Sequence, residues 1–253
     1  MKAFGDVTAE LTDPAVAEVE VHRPPSNFFD APLLANVVEA IGWTHTRGGR
    51  AVVLCSEGRN FCAGFDFGSS DRPDPDQLRS LYDHAVALVA GPLPVVAAVQ
   101  GAAVGGGLGL ALAGDFRIAS ADSRFSANFA RLGLHPGFGV SVTLARAVGD
   151  QRALELLLTG RRVDGVEALR IGLCDGLHDD PRVGAHALAQ EIAASAPLAI
   201  QAIRRTQRAG LTEAFAEAVE HERAEQLALM QTDDFREGID ASRRRRRPDF
   251  SGR

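Results

Sequence analysis

Apolar and polar residues alternate over residues 7–11 and again over 16–22, on either side of Asp13-Pro14. A period of two around a turn-forming pair predicts a β-hairpin. The period then lengthens, with Leu33, Val37, Val38 and Ile41 at helical spacing across residues 32–41. Residues 51–55 are a short apolar run, as expected of a strand buried on both faces, and end at Ser56-Glu57-Gly58. Leu78, Leu81, Tyr82, Ala85 and Val89 set an apolar stripe on a helix over 77–89. That helix is entered through an Asp- and Pro-rich stretch, 71–76, and stopped by Gly91-Pro92. Residues 94–99 are another buried strand, running into a Gly-rich stretch, a helix of small residues and a strand at 116–119. Strand followed by helix at near-regular intervals predicts an α/β architecture.

From about Pro197 the pattern becomes helical, over residues 198–208 and 211–230, with a stripe that includes Phe215, Ala218, Val219 and Leu227. A helix with one apolar face must cover it, so this tail is expected to pack on the core or on another subunit. The expected organisation is a core over residues 1–196 and a helical region over 197–253. The tail ends in five consecutive arginines, 243–247, and Pro248. Such a run in an acidic chain reads first as a solvated helix end and second as a phosphate contact.

Composition narrows the class. A chain of 253 residues with 45% hydrophobic and 24% charged residues suits one sizeable globular domain or a core with an appendage. A formal net charge of −6 excludes general nucleic-acid binding, which needs a cationic surface. The longest apolar stretch, 93–113, is broken by Pro94, Gln100 and several glycines, short of the ~20 residues that span a bilayer. Residues 1–25 lack a basic start followed by an apolar core. The expectation is a soluble, cytoplasmic protein with no membrane partner. Cys55, Cys62 and Cys174 are odd in number and lack zinc-like pairing, which fits reduced thiols. The seven histidines lack ligand spacing, so no metal is expected.

Two segments carry candidate chemistry: Ser56-Glu57-Gly58-Arg59-Asn60-Phe61-Cys62-Ala63-Gly64-Phe65-Asp66 and Gln100-Gly101-Ala102-Ala103-Val104-Gly105-Gly106-Gly107-Leu108-Gly109. In the second, a strand delivers three consecutive glycines to a helix start. Glycine lets backbone approach a ligand, and a helix N-terminus presents unpaired N–H groups with a favourable dipole. That geometry suits a phosphate or a developing oxyanion, and glycines serving only tight helix packing are the plain alternative. Gly105, Gly107 and Gly109 do not make G-x-G-x-x-G, and no Lys-Ser/Thr follows the last glycine, so dinucleotide and P-loop readings fail.

The two segments together resemble the signature loops of the crotonase superfamily, the enoyl-CoA hydratase/isomerase family. Leu132-Gly133-Leu134-His135-Pro136-Gly137-Phe138-Gly139 is similar to its third loop, and residues 153–160 with 168–173 are similar to the helices that follow. The resemblance runs in order from about Val16 to Phe250. It implies a spiral of repeated β-β-α units with a C-terminal helical oligomerisation region, trimeric or a dimer of trimers. It also implies no permanently bound cofactor, coenzyme A entering as part of an acyl-CoA substrate. The N–H groups of Phe65 and Gly106 would form a backbone oxyanion hole. Ala63, Gly64 and Asp66 would lie along the CoA adenine, and Gly105, Gly109 and Phe129 would border the substrate. Arginines 243–247 would meet the CoA phosphates.

One departure matters. The positions at which hydratases of the family carry their two catalytic glutamates correspond to Gly109 and Phe129 here, and an aspartate used by other members corresponds to Gly137. None of these residues transfers a proton. His135 and Tyr82 are the candidate replacements as acid or base, each with a structural role as the alternative reading, and Asn128 and Arg131 are candidates to hold a polar acyl group. The resemblance therefore implies an acyl-CoA enzyme of lyase or isomerase type, in fatty-acid or aryl-acyl-CoA metabolism, not using two-glutamate hydration. A weak or substrate-assisted hydratase and a non-catalytic acyl-CoA binder are the other readings.

Overall fold

The computed structural model describes residues 1–13, 15–65 and 74–253. β1 (Lys2–Phe4), β2 (Val7–Asp13) and β3 (Val16–Val21) form an antiparallel ribbon, so the alternating segments do pair. After α1 (Ala31–Thr46), β4 (Ala51–Ser56) adds to β3 in parallel. α2 (Pro75–Ala90) leads to β5 (Val95–Val99), parallel to β4. Both helices begin as the sequence signals: Asp30 accepts from the Leu33 N–H and Asp74 from the Asp76 N–H, each with proline in the first turn.

At Gln100-Gly101 the chain leaves this sheet. β6 (Ala102–Val104) joins a second, small sheet before α3 (Gly106–Ala113) begins. The strand that feeds the glycines is therefore β6 and not the long buried strand β5. β7 (Phe116–Ala119) returns to β5, while β8 (Arg124–Ser126) pairs with β6 and leads into a 3₁₀ turn (Asn128–Leu132). Then come α4 (Val140–Val148), α5 (Asp150–Thr159), β9 (Arg162–Asp164) beside β8, α6 (Gly165–Ile171) and β10 (Gly176–Leu177) beside β7. α7 (Pro181–Ala194), α8 (Pro197–Gln207), α9 (Leu211–Leu229) and α10 (Asp233–Arg243) complete the described chain. The main sheet runs β1-β2-β3-β4-β5-β7-β10, the small one β6-β8-β9.

Every residue of β4 is buried because both faces of the sheet are covered. Val52 and Leu54 face the core beneath α1 and α2, while Val53 and Cys55 face α7, whose Ala185, Ala189 and Ala193 form a small-residue stripe against the strands. α9 packs on α2 and α4 of its own chain, and α10 on the 3₁₀ turn. The buried face of α9 is Leu211, Phe215, Val219, Glu222 and Gln226, whereas Ala218 and Leu227 are only half-buried. α8 has no buried residue, and Leu198 is largely exposed.

Candidate functional site

The site begins with three backbones held side by side. Cys62 N–H donates to Ala102 O (2.9 Å) and Cys62 O accepts from Val104 N–H (3.0 Å), which lays residues 62–64 along β6. On the other side Ala63 N–H donates to Ser26 O (2.9 Å) and Gly64 O accepts from Phe29 N–H (3.0 Å). Phe29 and Phe65 form a bridge, so the direction of this segment is fixed from both flanks. Gly64 has φ of +96°, and a Cβ there would lie 2.8 Å from Val104 O and 3.4 Å from Gly106 N. Only glycine keeps this turn against the start of α3. Gly106 is the first residue of that helix, so its N–H is one of the donors a helix leaves without an internal acceptor. A Cβ on Gly106 would approach the Phe29 ring to 2.5 Å, so the amide edge stays bare only with glycine.

Against these backbones lies a cavity of about 430 Å³. Its wall includes Phe28, Phe29, Phe65, Phe129, Phe138 and Met230. Phe29 and Phe138 pack with ring centroids 5.2 Å apart. Of the sequence-derived candidates, Ala63, Gly64, Phe65, Tyr82, Gly105, Gly106 and Phe129 border this cavity. Asp66 lies outside the described residues. Two candidates lie off this wall. Gly109 is buried in α3 away from the cavity wall, its Cα facing the Phe138 side chain. His135 is also absent from the wall: its Nδ1 lies 2.9 Å from Pro136 O, and its ring meets His221 at 5.5 Å.

Tyr82 is 3% exposed, and its hydroxyl donates to Gln226 Oε1 at 2.6 Å. Burial pushes its phenol well above the ordinary range, so at neutral pH it is a fixed donor and not a base. Gln226 reaches the cavity from α9 and also donates to His135 O at 3.0 Å. Asn128, one of the residues flanking Phe129, lines the cavity; Arg131 does not, and donates to Thr159 O at 2.7 Å.

Glu222 escapes a reading based on apolar periodicity. It is fully buried and accepts from Gly139 N–H (2.7 Å), Ser141 N–H (3.0 Å) and Ser141 Oγ (2.6 Å), capping α4. It thereby ties α9 to the loop that carries Phe138. Its spacing from Phe215 and Val219 continues the buried stripe, which is the signal that marks both Glu222 and Gln226. Burial raises its carboxyl pKa above 4.5, with the three hydrogen bonds opposing. A raised folded pKa means the stability Glu222 contributes is full below the unfolded pKa and is lost as pH rises through the folded value. Glu222→Gln leaves one N–H facing another and is expected to cost about 1–3 kcal/mol. In urea melts the wild-type advantage is expected to be greatest in acid and to shrink as pH climbs past 4.5; an advantage that grows with pH would contradict this.

The arginine run divides. Arg244 pairs with Asp240 (2.9 Å), and Arg246 pairs with Glu237 and with Asp240 (2.7 Å). Glu237 is held down at about 2, chiefly by Arg246. Arg243 borders the phenylalanine-lined cavity, while Arg245, Arg246 and Arg247 border an adjoining space with Arg131 and Arg162. No helix among the described residues is long and apolar enough to cross a membrane.

The family model described as enoyl-CoA hydratase/isomerase matches residues 12–253. The chain is 44% identical over 184 residues to the probable enoyl-CoA hydratase EchA14 of Mycobacterium tuberculosis, covering 71% of this chain and 72% of that protein. It is 31% identical over 249 residues to a probable enoyl-CoA hydratase of Bacillus subtilis, covering 95% and 96%. Its structure is similar to that of an enoyl-CoA hydratase from Mycobacterium avium subsp. paratuberculosis, with a TM-score of 0.87 and 28% identity over 98% of this chain and all of the other. Sequence and fold agree over almost the full length, and the chain belongs to the enoyl-CoA hydratase/isomerase family, with the crotonase fold.

Proposed function

We propose that this protein holds an acyl-CoA thioester with its carbonyl oxygen between the N–H groups of Phe65 and Gly106, and stabilises the enolate that forms there. The observation that carries this reading is the close approach of residue 64 to the Gly106 amide at the mouth of an apolar cavity. Backbone donors fixed in a dry site favour charge that develops on an oxygen, and one such donor is worth ~3 kcal/mol in other enzymes. Ala63 and Gly64 lie along the CoA adenine, Gly105 borders the thioester, and the phenylalanine-rich wall receives the acyl group.

The chemistry is a reaction other than two-glutamate hydration. Gly109 has no side chain to offer, Phe129 presents a ring, and Tyr82 is engaged with Gln226. Isomerisation, decarboxylation, C–C cleavage or hydrolysis of a thioester all draw on enolate or oxyanion stabilisation. That no Asp, Glu or His lines the cavity among the described residues favours a second reading, an acyl-CoA binder without turnover. By resemblance the working unit is a homotrimer, alone or paired. Incubation with crotonyl-, malonyl-type and aryl-CoAs followed by mass spectrometry separates the readings. A product other than the hydrate supports the enzyme, hydration of crotonyl-CoA overturns the exclusion of hydration, and tight binding without product supports the binder.

In this reading Arg245 and Arg247 meet the CoA phosphates, which the pairing of Arg244 and Arg246 with acids on α10 supports. Replacing both by Gln is expected to weaken CoA affinity roughly three- to tenfold at low salt, and less as ionic strength shortens the screening length. Equal affinities for wild type and variant at low salt would remove these residues from the phosphate site.

A further inference from the structure

Two polar side chains stand where residue 137 has none. A Cβ on Gly137 would overlap both Tyr82 Oη and Gln226 Nε2. The pair thus fills the space next to this glycine with a phenol from α2 and an amide from α9. Both are more than nine-tenths buried, Tyr82 at 3% and Gln226 at 5% exposed, and both border the cavity. Their hydrogen bonds fix the amide's orientation. Oε1 accepts a hydrogen bond from the Tyr82 hydroxyl, and Nε2 donates one N–H to His135 O. Rotating the amide by half a turn would set its oxygen against the His135 carbonyl, acceptor against acceptor. A primary amide has a second N–H. No acceptor for it is found among the described residues, and Leu78, Leu81, Leu134 and Phe138 are among the residues lining the same cavity.

A buried donor in an apolar wall discriminates strongly, because a ligand that cannot accept from it leaves it unsatisfied. We propose that Gln226, held in place by Tyr82, recognises a neutral oxygen on the acyl chain away from the thioester, so that the preferred substrates are oxo- or hydroxyacyl-CoAs and not plain acyl-CoAs. This rests on the acyl-CoA reading above. A neutral oxygen is favoured over a carboxylate because Gln226 offers a neutral donor and Tyr82 is already spent on it; Arg162 and Arg243 border the cavity through other segments. Gln226 touches the substrate in this reading, and Tyr82 is a positioning residue.

The test compares the affinities of octanoyl-CoA and of a series of oxo- and hydroxyoctanoyl-CoAs with the oxygen stepped along the chain. Wild-type protein is expected to bind at least one oxygenated isomer about tenfold or more tightly than octanoyl-CoA. The ratio between that isomer and octanoyl-CoA is expected to fall to about one in Gln226→Leu and to an intermediate value in Tyr82→Phe, where the amide loses its anchor. Because the readout is a ratio of two ligands on one protein, a general loss of packing does not imitate it. The oxo and hydroxy arms separately show which oxygen is preferred. Binding of octanoyl-CoA with no preference for any oxygenated isomer, or a preference that survives in Gln226→Leu, overturns this inference and leaves the acyl-CoA reading standing. No binding of any thioester overturns both.

Discussion

On the proposed acyl-CoA chemistry, replacing Gly64 by alanine is expected to lower thioester turnover by two to three orders of magnitude, the usual effect of losing an oxyanion donor. The added methyl would sit 2.8 Å from Val104 O, closer than a carbon tolerates, and 3.4 Å from Gly106 N, beside the amide that the oxyanion would face. The backbone cannot step aside freely, because Cys62 is bonded to β6 and Gly64 O to Phe29 N–H. The residue also stands at φ of +96°, where alanine is strained by about 1–3 kcal/mol. The expected pattern is a large fall in kcat and a modest fall in melting temperature. If the protein binds thioesters without turning them over, the same change appears as loss of the preference for acyl-CoA over CoA. A variant with kcat/KM within threefold of wild type would show that the oxyanion is not held at Gly106.

The parts of this molecule legible in the sequence are those governed by local pattern. The hairpin of β2 and β3, the capped starts of α1 and α2, and the buried strands β4 and β5 follow from alternation, Asp-Pro signals and apolar runs. The two glycine-bearing loops were legible because close backbone approach demands one residue type, which leaves a recognisable spacing. What pattern does not show is which side chains meet across the fold. β6, β8 and β9 are three residues each, too short for alternation to register. Glu222 and Gln226 continue the spacing of Phe215 and Val219, but as polar residues of a charged helix they do not register as apolar, and what they meet shows only when α9 is laid against α2 and α4. Their partners are 81 to 144 positions away, at Ser141 and Tyr82. His135 shows the converse: it lies in a signature-like loop, yet its ring turns to Pro136 O and His221 and leaves the cavity to Phe138.

Gly109→Glu, which places a carboxylate where the family resemblance locates one in hydratases, is expected to destabilise this protein and not to create a hydratase. A Cβ at position 109 would lie 2.8 Å from Phe138 Cβ and 2.9 Å from the edge of its ring. Phe138 is 1% exposed, packed on Phe29 and held at a positive φ of 62°, so its side chain gives way only by leaving that packing for the cavity. The new residue must therefore overpack a rigid contact, about 1–3 kcal/mol, and bury a carboxyl without a partner, about 1–3 kcal/mol more. For a chain of this length that sum corresponds to a fall in melting temperature of roughly 10 °C. Circular dichroism melting and a crotonyl-CoA hydration assay read the two expectations together. Adding Phe138→Ala, which vacates the space, is expected to recover part of the lost stability, since the clash is with that one side chain. A single Gly109→Glu variant that melts with wild type and hydrates crotonyl-CoA would show that position 109 does open to the cavity. Destabilisation relieved by Phe138→Ala would instead show that the glycine at 109 and the phenylalanine at 138 are two halves of one packing solution, in which room for the acid has been given to the apolar wall.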